Sequence, residues 1–450
     1  MIRRKIADRI RAFFRSDSKA LLITGARQVG KTYIIRECGK EAFESFIEIN
    51  FLEDRAALSL FANARSSEDI LLRISALAKR PLIPGKTLIF FDEVQECPEI
   101  VTAIKFLVDE GSYRYALSGS LLGVGLRDIR SVPVGYMDIW EMYPLDFEEF
   151  ALACGVSPRV IGALKNAYED RSLVDETVHE KMMDLFRLYL VVGGMPSVVA
   201  RYLETNNMQD VTREQQAILT LYRRDIARYD PANKLYLEEI YGLIPSELNA
   251  KNKRFILKKL NENFKFSRYQ NSFLWLKNAG VALPVFSVAA PVAPLTLNKS
   301  ANLFKLFLAD VGLLAAMYMD GIQLKILNRE QDVNFGAVYE NAAAQELKAH
   351  GWELFYYNSK KHGELDFVVE KGGNVLPIEI KSGKDYSRHA ALDNVMNCAE
   401  YDIPTAYVFH NGNVKTDSAV VYLPMYMLMF LQKARDLAPQ IYRPDLEGLR

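Results

Sequence analysis

Four short apolar runs outline the first third of the chain: Ala20–Ile23, Phe46–Asn50, Thr87–Phe91 and Tyr115–Leu117. Each has strand length and polar flanks, so each reads as a strand buried in a sheet. Helical spacing fills the gaps. Met1–Arg15 carries Ile6, Ile10, Phe13 and Phe14 on one stripe. Thr32–Phe43 carries Ile34, Ile35 and Cys38 on one side, and Ala56–Ala78 also reads as helix. Strands alternating with helices predict a parallel α/β sheet.

From Val156 to Arg228 the pattern is helical, and the stretch Val178–Val192 ends at Gly193, Gly194 and Pro196. Leu237, Ile240, Leu243 and Ile244 predict a further helix, Asn271–Ala279 another, and Val281–Val288 an extended run. Near the other end, Gly336–His350 reads as a helix and Phe355–Asn358 as a strand. Gly363–Gly383 then holds two runs of period two around Lys371-Gly372-Gly373-Asn374, a hairpin signal. A turn centred on Gly372-Gly373 pairs Val369 with Leu376, Phe367 with Ile378 and Leu365 with Ile380 on an apolar face. On the other face Asp366 opposes Glu379, and Glu364 opposes Lys381. Opposed carboxylates repel, and a divalent cation is the economical neutraliser. Thr405–Phe409 and Val420–Leu423 add strands that complete an α/β sheet, and His389 reads as a surface histidine.

Composition narrows the class. The 450 residues are enough for about two to four domains, and half of them are hydrophobic. Lysines and arginines equal acids at 56 each, so no whole-protein field draws the chain to nucleic acid or membrane. Bases do crowd locally, at Lys251, Lys253, Arg254, Lys258, Lys259, Lys265 and Arg268. Helices followed by an apolar strand, with this charge, fit a winged-helix module that touches DNA phosphates. Tyr269, Phe273 and Trp275 nearby read as core. The four cysteines are scattered without C-x-x-C spacing, which suits a reducing cytosol and argues against zinc. The N-terminal segment lacks the apolar core of a signal peptide. Ala279–Leu297 is broken by Pro284, Pro291 and Pro294, and Val420–Leu431 is too short to span a bilayer. A cytoplasmic protein without a membrane partner is the expectation.

Gly25–Thr32, GARQVGKT, matches G-x-x-x-x-G-K-[ST] between a strand and a helix. Gly25, Ala26, Arg27, Gln28, Val29 and Gly30 are the loop whose N–H groups cradle phosphate at a helix N-terminus. Lys31 is placed to reach the β- and γ-phosphates, and the Thr32 hydroxyl to take a Mg²⁺ position. Asp92 and Glu93, ending the strand Thr87–Phe91, fit the second half of such a site: Asp92 for Mg²⁺, Glu93 to polarise the attacking water. Ser118 or Ser120, at the next strand tip, suits a γ-phosphate contact.

GARQVGKT, FFDEVQ at 90–95, LSGSLL at 117–122 and MYPLDFEEF at 142–150 together resemble a family of bacterial and archaeal AAA-like P-loop ATPases. VVGGMPSVV at 191–199 and YRRDIARY at 222–229 extend the likeness over nearly the whole chain. That family carries a C-terminal domain of restriction-endonuclease fold. The resemblance implies an ATPase core at 1–155, a helical lid at 156–230, a winged-helix region at 231–300 and an endonuclease-like α/β domain at 301–450. Asp366, Glu379 and Lys381 match the family's PD-(D/E)-x-K arrangement, with Leu365 where proline is usual, and Glu340 stands where that fold has a helical acid. The implied metal ligands there are Asp366, Glu379 and Glu340, with Lys381 beside the reacting phosphate. One departure stands out: the family often has Gly-Arg where this chain has Gly135-Tyr136. Arg127, Arg130, Arg223 and Arg224 are the candidate replacements for a nucleotide-sensing arginine. Three functions follow: an ATPase gating DNA at a nuclease-like domain, an ATP-dependent switch that grips a partner without cutting, and a ring-forming remodeller. The expected ligands are ATP and Mg²⁺, with DNA and a second copy of the chain as candidate partners.

Overall fold

The computed structural model describes residues 2–61, 66–120, 135–229, 234–250, 253–255, 272–273, 275–318, 322–328, 335–383 and 385–433. Of the residues singled out above, Arg127, Arg130, Lys251, Lys258, Lys259, Lys265, Arg268 and Tyr269 lie outside them.

The N-terminal module is a parallel sheet with helices on both faces. Helix α1 (Lys5–Ser16) buries Ala7, Ile10, Phe13 and Phe14, the stripe its spacing predicts. Then follow β1 (Ala20–Thr24), α2 (Lys31–Ala42), β2 (Ser45–Asn50), α3 (Ser67–Leu77), β3 (Thr87–Asp92), α4 (Glu99–Glu110), β4 (Arg114–Ser118) and β5 (Met137–Glu141). The strand order is β2-β3-β4-β1-β5, with all pairings parallel. β1 and β3 lie in the middle and are apolar and buried almost throughout, as strands covered on both faces must be. The single helix expected over Ala56–Ala78 is instead a 3₁₀ turn at Arg55–Leu60 and the separate α3. Ser66 starts α3 by accepting the Asp69 N–H, and that cap ends any continuous helix.

A helical layer follows: α5 (Phe147–Ala153), α6 (Pro158–Asp170), α7 (Glu176–Val192), α8 (Pro196–Thr205), α9 (Met208–Tyr229) and α10 (Lys234–Asn249). Helix α7 stops at Gly193, φ +75°. A Cβ on Gly193 would lie 2.2 Å from an Asp310 oxygen, and one on Gly194 2.1 Å from the Leu145 carbonyl oxygen. The glycine pair lets three segments meet backbone to backbone.

The second sheet is mixed, with strand order β12-β13-β11-β10-β9-β8-β6-β7. Its elements are β6 (Ala282–Val288), β7 (Lys299–Leu308), α11 (Val311–Met317), α12 (Ile322–Leu327), α13 (Gly336–Ala349), β8 (Phe355–Ser359), β9 (Gly363–Lys371), β10 (Asn374–Lys381), α14 (Ala390–Met396), β11 (Ala406–His410), β12 (Lys415–Asp417) and β13 (Val420–Pro424). The extended run expected in a winged-helix region is β6, which pairs with β7 on one side and β8 on the other. A boundary at residue 300 therefore runs through the β6–β7 hairpin. Ala282, Leu283, Val285 and Val288 are all buried, and such a strand needs a neighbour on each edge.

The β9–β10 register is the expected one, from Asn374 opposite Lys371 to Ile378 opposite Phe367. The apolar face is not. Between β8 and β9 the register slips by one residue, from Phe355 opposite Val368 to Tyr357 opposite Leu365. Such a bulge turns side chains over. Leu365 consequently packs with Val368 and with Leu392 and Val395 of α14, while Phe367 and Val369 join the larger core on the other side. Both faces of this sheet are covered. His389, expected at the surface, is buried at the start of α14 with its Nε2 2.6 Å from the Tyr422 hydroxyl.

Candidate functional site

The loop between β1 and α2 is built to approach a ligand. Gly25 has φ +133° and Gly30 φ +94°, and a Cβ on Gly25 would sit 2.2 Å from the Met142 carbonyl oxygen. Lys31, first residue of α2, folds over the loop and donates to the carbonyls of Gly25 (3.0 Å) and Ala26 (2.8 Å). Burial pulls its pKa down to about 8. Thr32 Oγ1 donates to Asp92 at 3.0 Å, the Ser118 hydroxyl donates to the same carboxylate, and Asn50 Nδ2 reaches it at 3.2 Å. Asp92 is 2% exposed, and burial holds its pKa above the usual carboxylate range. These side-chain partners are two hydroxyls and an amide, so the carboxylate is desolvated without a matching cation among them. That fits Mg²⁺: Thr32 and Asp92 would hold it, and it would supply charge neutralisation at the phosphates.

Glu93 follows with φ +55°, a left-handed kink that separates it from Asp92. Its Oε2 accepts from Gln95 Nε2 (2.5 Å) and from the Ser120 hydroxyl (3.2 Å). Ser118 is thus a partner of Asp92, and Ser120 a partner of Glu93. A cavity of about 830 Å³ opens over this loop. Arg27, Gln28, Gly30, Lys31, Thr32 and Glu93 are among its polar lining, and Met142, Pro196, Ala200, Leu203 and Leu221 among its apolar lining. Its size and mixed lining suit a nucleotide, with the phosphates at the loop.

Helix α9 reaches this loop. Tyr222 OH donates to the Arg27 carbonyl (2.9 Å), and Arg27 Nη1 donates to Asp225 Oδ1 (2.6 Å). Arg223 and Arg224, candidate sensors in sequence, are exposed on the same helix. Asn50 and Arg27 were not legible as partners of the acids. The only sequence signal is their place at a strand tip and inside the glycine loop.

The second centre lies where α13 crosses the mixed sheet. Glu340, Glu364, Asp366, Glu379 and Lys381 do gather there, together with two lysines. Lys305 on β7 is fully buried, its Nζ 2.8 Å from Glu364, 3.7 Å from Glu340 and 4.0 Å from Asp366. Lys253 pairs with Glu340, and Lys381 Nζ lies 2.7 Å from Glu379. Asp366 also accepts the Ile380 N–H at 3.0 Å. Burial pulls the Lys305 pKa down, but Glu340, Asp366 and Glu364 outweigh it and leave it raised. Burial opposes ionisation of Asp366 too, yet Lys253, Lys305 and Lys381 hold it below its usual range. Glu379 is pushed up to about 8 by burial and by Asp366, against the pull of Lys381. The amines of Lys253, Lys305 and Lys381 therefore stand among the carboxyls of Glu340, Glu364, Asp366 and Glu379. Mg²⁺ would need uncompensated carboxylates and several oxygen positions around it. The lysines already supply the charge, and among the described residues no group of three or more His, Cys, Asp or Glu side chains could hold a metal ion. The residues here do not fit a divalent cation. The cation expected between Asp366 and Glu379 is replaced by the chain's own amines. Lys305 was missed in sequence, although a lone charge inside Leu303–Leu308 marks it.

A third polar group joins the modules. Arg4 donates to the carbonyls of Val29 (3.0 Å) and Tyr143 (2.7 Å) and to Glu149 (3.0 Å). Lys5 reaches Asp146 at 2.7 Å, and His350 of α13 lies 3.5 Å from the same carboxylate. Glu346, also on α13, accepts from Phe147 N (2.7 Å) and Tyr189 OH (2.9 Å). Burial and Asp146 push Glu346 up to about 7.

Residues 17–151 match the family model described as AAA domain. Residues 183–328 match a domain of unknown function (DUF8612), and residues 335–428 another (DUF4143). Among curated proteins none is similar to the chain. Among solved structures, a Walker-type ATPase of Pyrococcus abyssi is similar at 13% identity, over 71% of this chain and 96% of that one, with a TM-score of 0.42. The ORC1 protein of Aeropyrum pernix in complex with DNA aligns at 14% identity, over 72% and 91%, with a TM-score of 0.27. Likenesses this loose carry no functional argument. No helix among the described residues is long and apolar enough to cross a membrane. The chain carries a P-loop ATPase domain of AAA type in its N-terminal third, followed by two domains whose families have no assigned function.

Proposed function

We propose that this protein is a Mg²⁺-dependent ATPase whose nucleotide cycle controls a nuclease-like C-terminal module that binds a partner without cutting it. The buried, cation-seeking Asp92, beside the Thr32 and Glu93 that line a nucleotide-sized cavity, carries the ATPase reading. In this reading the loop N–H groups and Lys31 hold the β- and γ-phosphates. Glu93 orients a water, its oxygen bonds to the γ-phosphorus, the bond to the bridging oxygen breaks, and Glu93 takes the proton.

The order α13-β8-β9-β10-α14-β11, with Asp366, Glu379 and Lys381 on its central hairpin, supports an endonuclease-like module. The lysine-neutralised acids support binding rather than cleavage, because fold alone does not confer activity. The bases between Lys251 and Arg268 favour a polyanion as partner, and duplex DNA is the first to try.

The experiment is ATP turnover by the full chain, with and without duplex DNA, beside Lys31→Ala. Turnover that vanishes in the variant is expected, together with no Mg²⁺-dependent nicking. Equal turnover in both proteins would sink the ATPase reading. Nicking that Asp366→Ala abolishes would sink the non-cutting one. A steep fall of DNA binding with salt is the expected mark of phosphate contacts.

A further inference from the structure

Arg27 sits at the third position of the phosphate loop, and its side chain bonds both to Ser120 and to Asp225 of α9. Its Nε donates to the Ser120 hydroxyl at 3.3 Å, and that hydroxyl lies 3.2 Å from Glu93 Oε2. A hydroxyl has one hydrogen, so the direction of this pair is set. The guanidinium can only donate, the carboxylate can only accept, and Ser120 passes the polarity between them. On its other side Arg27 forms the 2.6 Å ion pair with Asp225 of α9, and Tyr222 of the same helix holds its carbonyl. The Arg27 guanidinium and the Asp225 carboxylate are 16% and 8% exposed, so the pair is largely shielded from water. Arg27 Nη2 is buried with no hydrogen-bond partner among the described residues, in a side chain that lines the nucleotide cavity.

We propose that Arg27 is a positioning residue for hydrolysis: through Ser120 it fixes the orientation of Glu93, and through Asp225 it ties that orientation to α9. The proposal rests on the ATPase reading and deepens it. It places the link between nucleotide and helical layer inside the phosphate loop, where none of Arg127, Arg130, Arg223 and Arg224 lies. Lysine cannot replace this residue, because one ammonium does not present the planar pair of donors that faces Ser120 and Asp225 together.

The test measures steady-state ATP turnover and, separately, binding of a fluorescent ATP analogue, on the full chain. The proteins are wild type, Lys31→Ala, Arg27→Ala, Arg27→Lys, Ser120→Ala and the double variant Arg27→Ala/Ser120→Ala. A positioned base contributes about 10²–10⁴-fold, so losing part of its positioning is expected to lower kcat about 10- to 100-fold. Nucleotide affinity should move by less than about threefold, as expected for an effect on Glu93 rather than on binding. Arg27→Lys should not restore kcat, and the double variant should be no worse than the poorer single one, since both act through one relay. Ser120→Ala keeps the test decisive if Arg27→Ala does not fold. Unchanged kcat in Ser120→Ala, or losses that multiply in the double variant, would overturn the relay while leaving the ATPase reading intact. Wild-type turnover no greater than that of Lys31→Ala would overturn both.

Discussion

Replacing Lys305 with methionine removes one buried charge and keeps the bulk of the side chain. The ammonium faces Glu364, Glu340 and Asp366 at 2.8, 3.7 and 4.0 Å. At an effective dielectric constant of about 20 each of these attractions is worth about 4–6 kcal/mol before desolvation. Taking the amine out of water cancels several kcal/mol of that sum. Glu364 is 23% exposed and turns to solvent once freed, whereas Glu340 at 2% stays where it is. Stranding a buried partner costs about 3–5 kcal/mol, and the escape of Glu364 puts the expected loss near the lower figure, about 3 kcal/mol. Urea unfolding followed by circular dichroism reads it at pH 7. The pH dependence gives the sign. Glu340 and Glu379 already have folded-state pKa values above their ordinary ones, and without the opposing pull of Lys305 they rise further. Such groups favour the folded state below the unfolded pKa, near 4, and that contribution is lost as pH rises through the folded value. The penalty of Lys305→Met should therefore shrink between pH 7 and pH 5, and adding Asp366→Asn should recover part of it at pH 7. A variant within about 0.5 kcal/mol of wild type at pH 7, or a penalty that grows on acidification, would refute the reasoning.

Three further outcomes are expected. Gly194→Ala drives a methyl against the Leu145 carbonyl oxygen, 2.1 Å away, and should cost about 1–3 kcal/mol or more, whereas Gly242→Ala, in α10 with open space around it, should gain about 0.5–1 kcal/mol; paired thermal melts check the contrast. Glu346 has its pKa raised from 4.5 to about 7, so its contribution to stability is present below about 4.5 and lost as pH rises through about 7; Glu346→Gln should flatten the wild-type decline, by up to about 1.4 kcal/mol per pH unit, in unfolding curves taken across that window. Burial pushes the Cys38 thiol up to about 11 and that of Cys97 to about 12, so maleimide labelling of the native protein at neutral pH should reach the half-buried Cys398 and spare both; rapid native labelling of Cys97 would contradict its place in the core.

Local features were legible and non-local ones were not. The phosphate loop, its flanking strand and helix, and the β9–β10 register each follow from neighbouring residues, and the glycines at 25, 30, 372 and 373 announce the turns. The gathering of Glu340 with Asp366, Glu379 and Lys381 was legible through resemblance to a known arrangement. What neutralises them was not, because Lys305 comes from a strand 61 residues upstream of Asp366 and 74 upstream of Glu379 that only the completed sheet brings near. The bulge in β9 depends on how β8 pairs, so Leu365 was assigned to the wrong face. Arg27 and Asp225 are 198 positions apart, and no period or spacing connects them.

The sheet that spans β6 to β13 bears on inheritance. The matched families break between residues 328 and 335, as though the last part of the chain could be passed on by itself. A gene fragment starting at 335 would encode β8 without β6, leaving an open apolar edge ready to pair with another molecule. It would also keep Glu340 but lose Lys305 and Lys253, which balance it. A viable exchange between relatives must carry residues 282–308 with the tail they support, so the matched segment 335–428 is smaller than the unit that can fold.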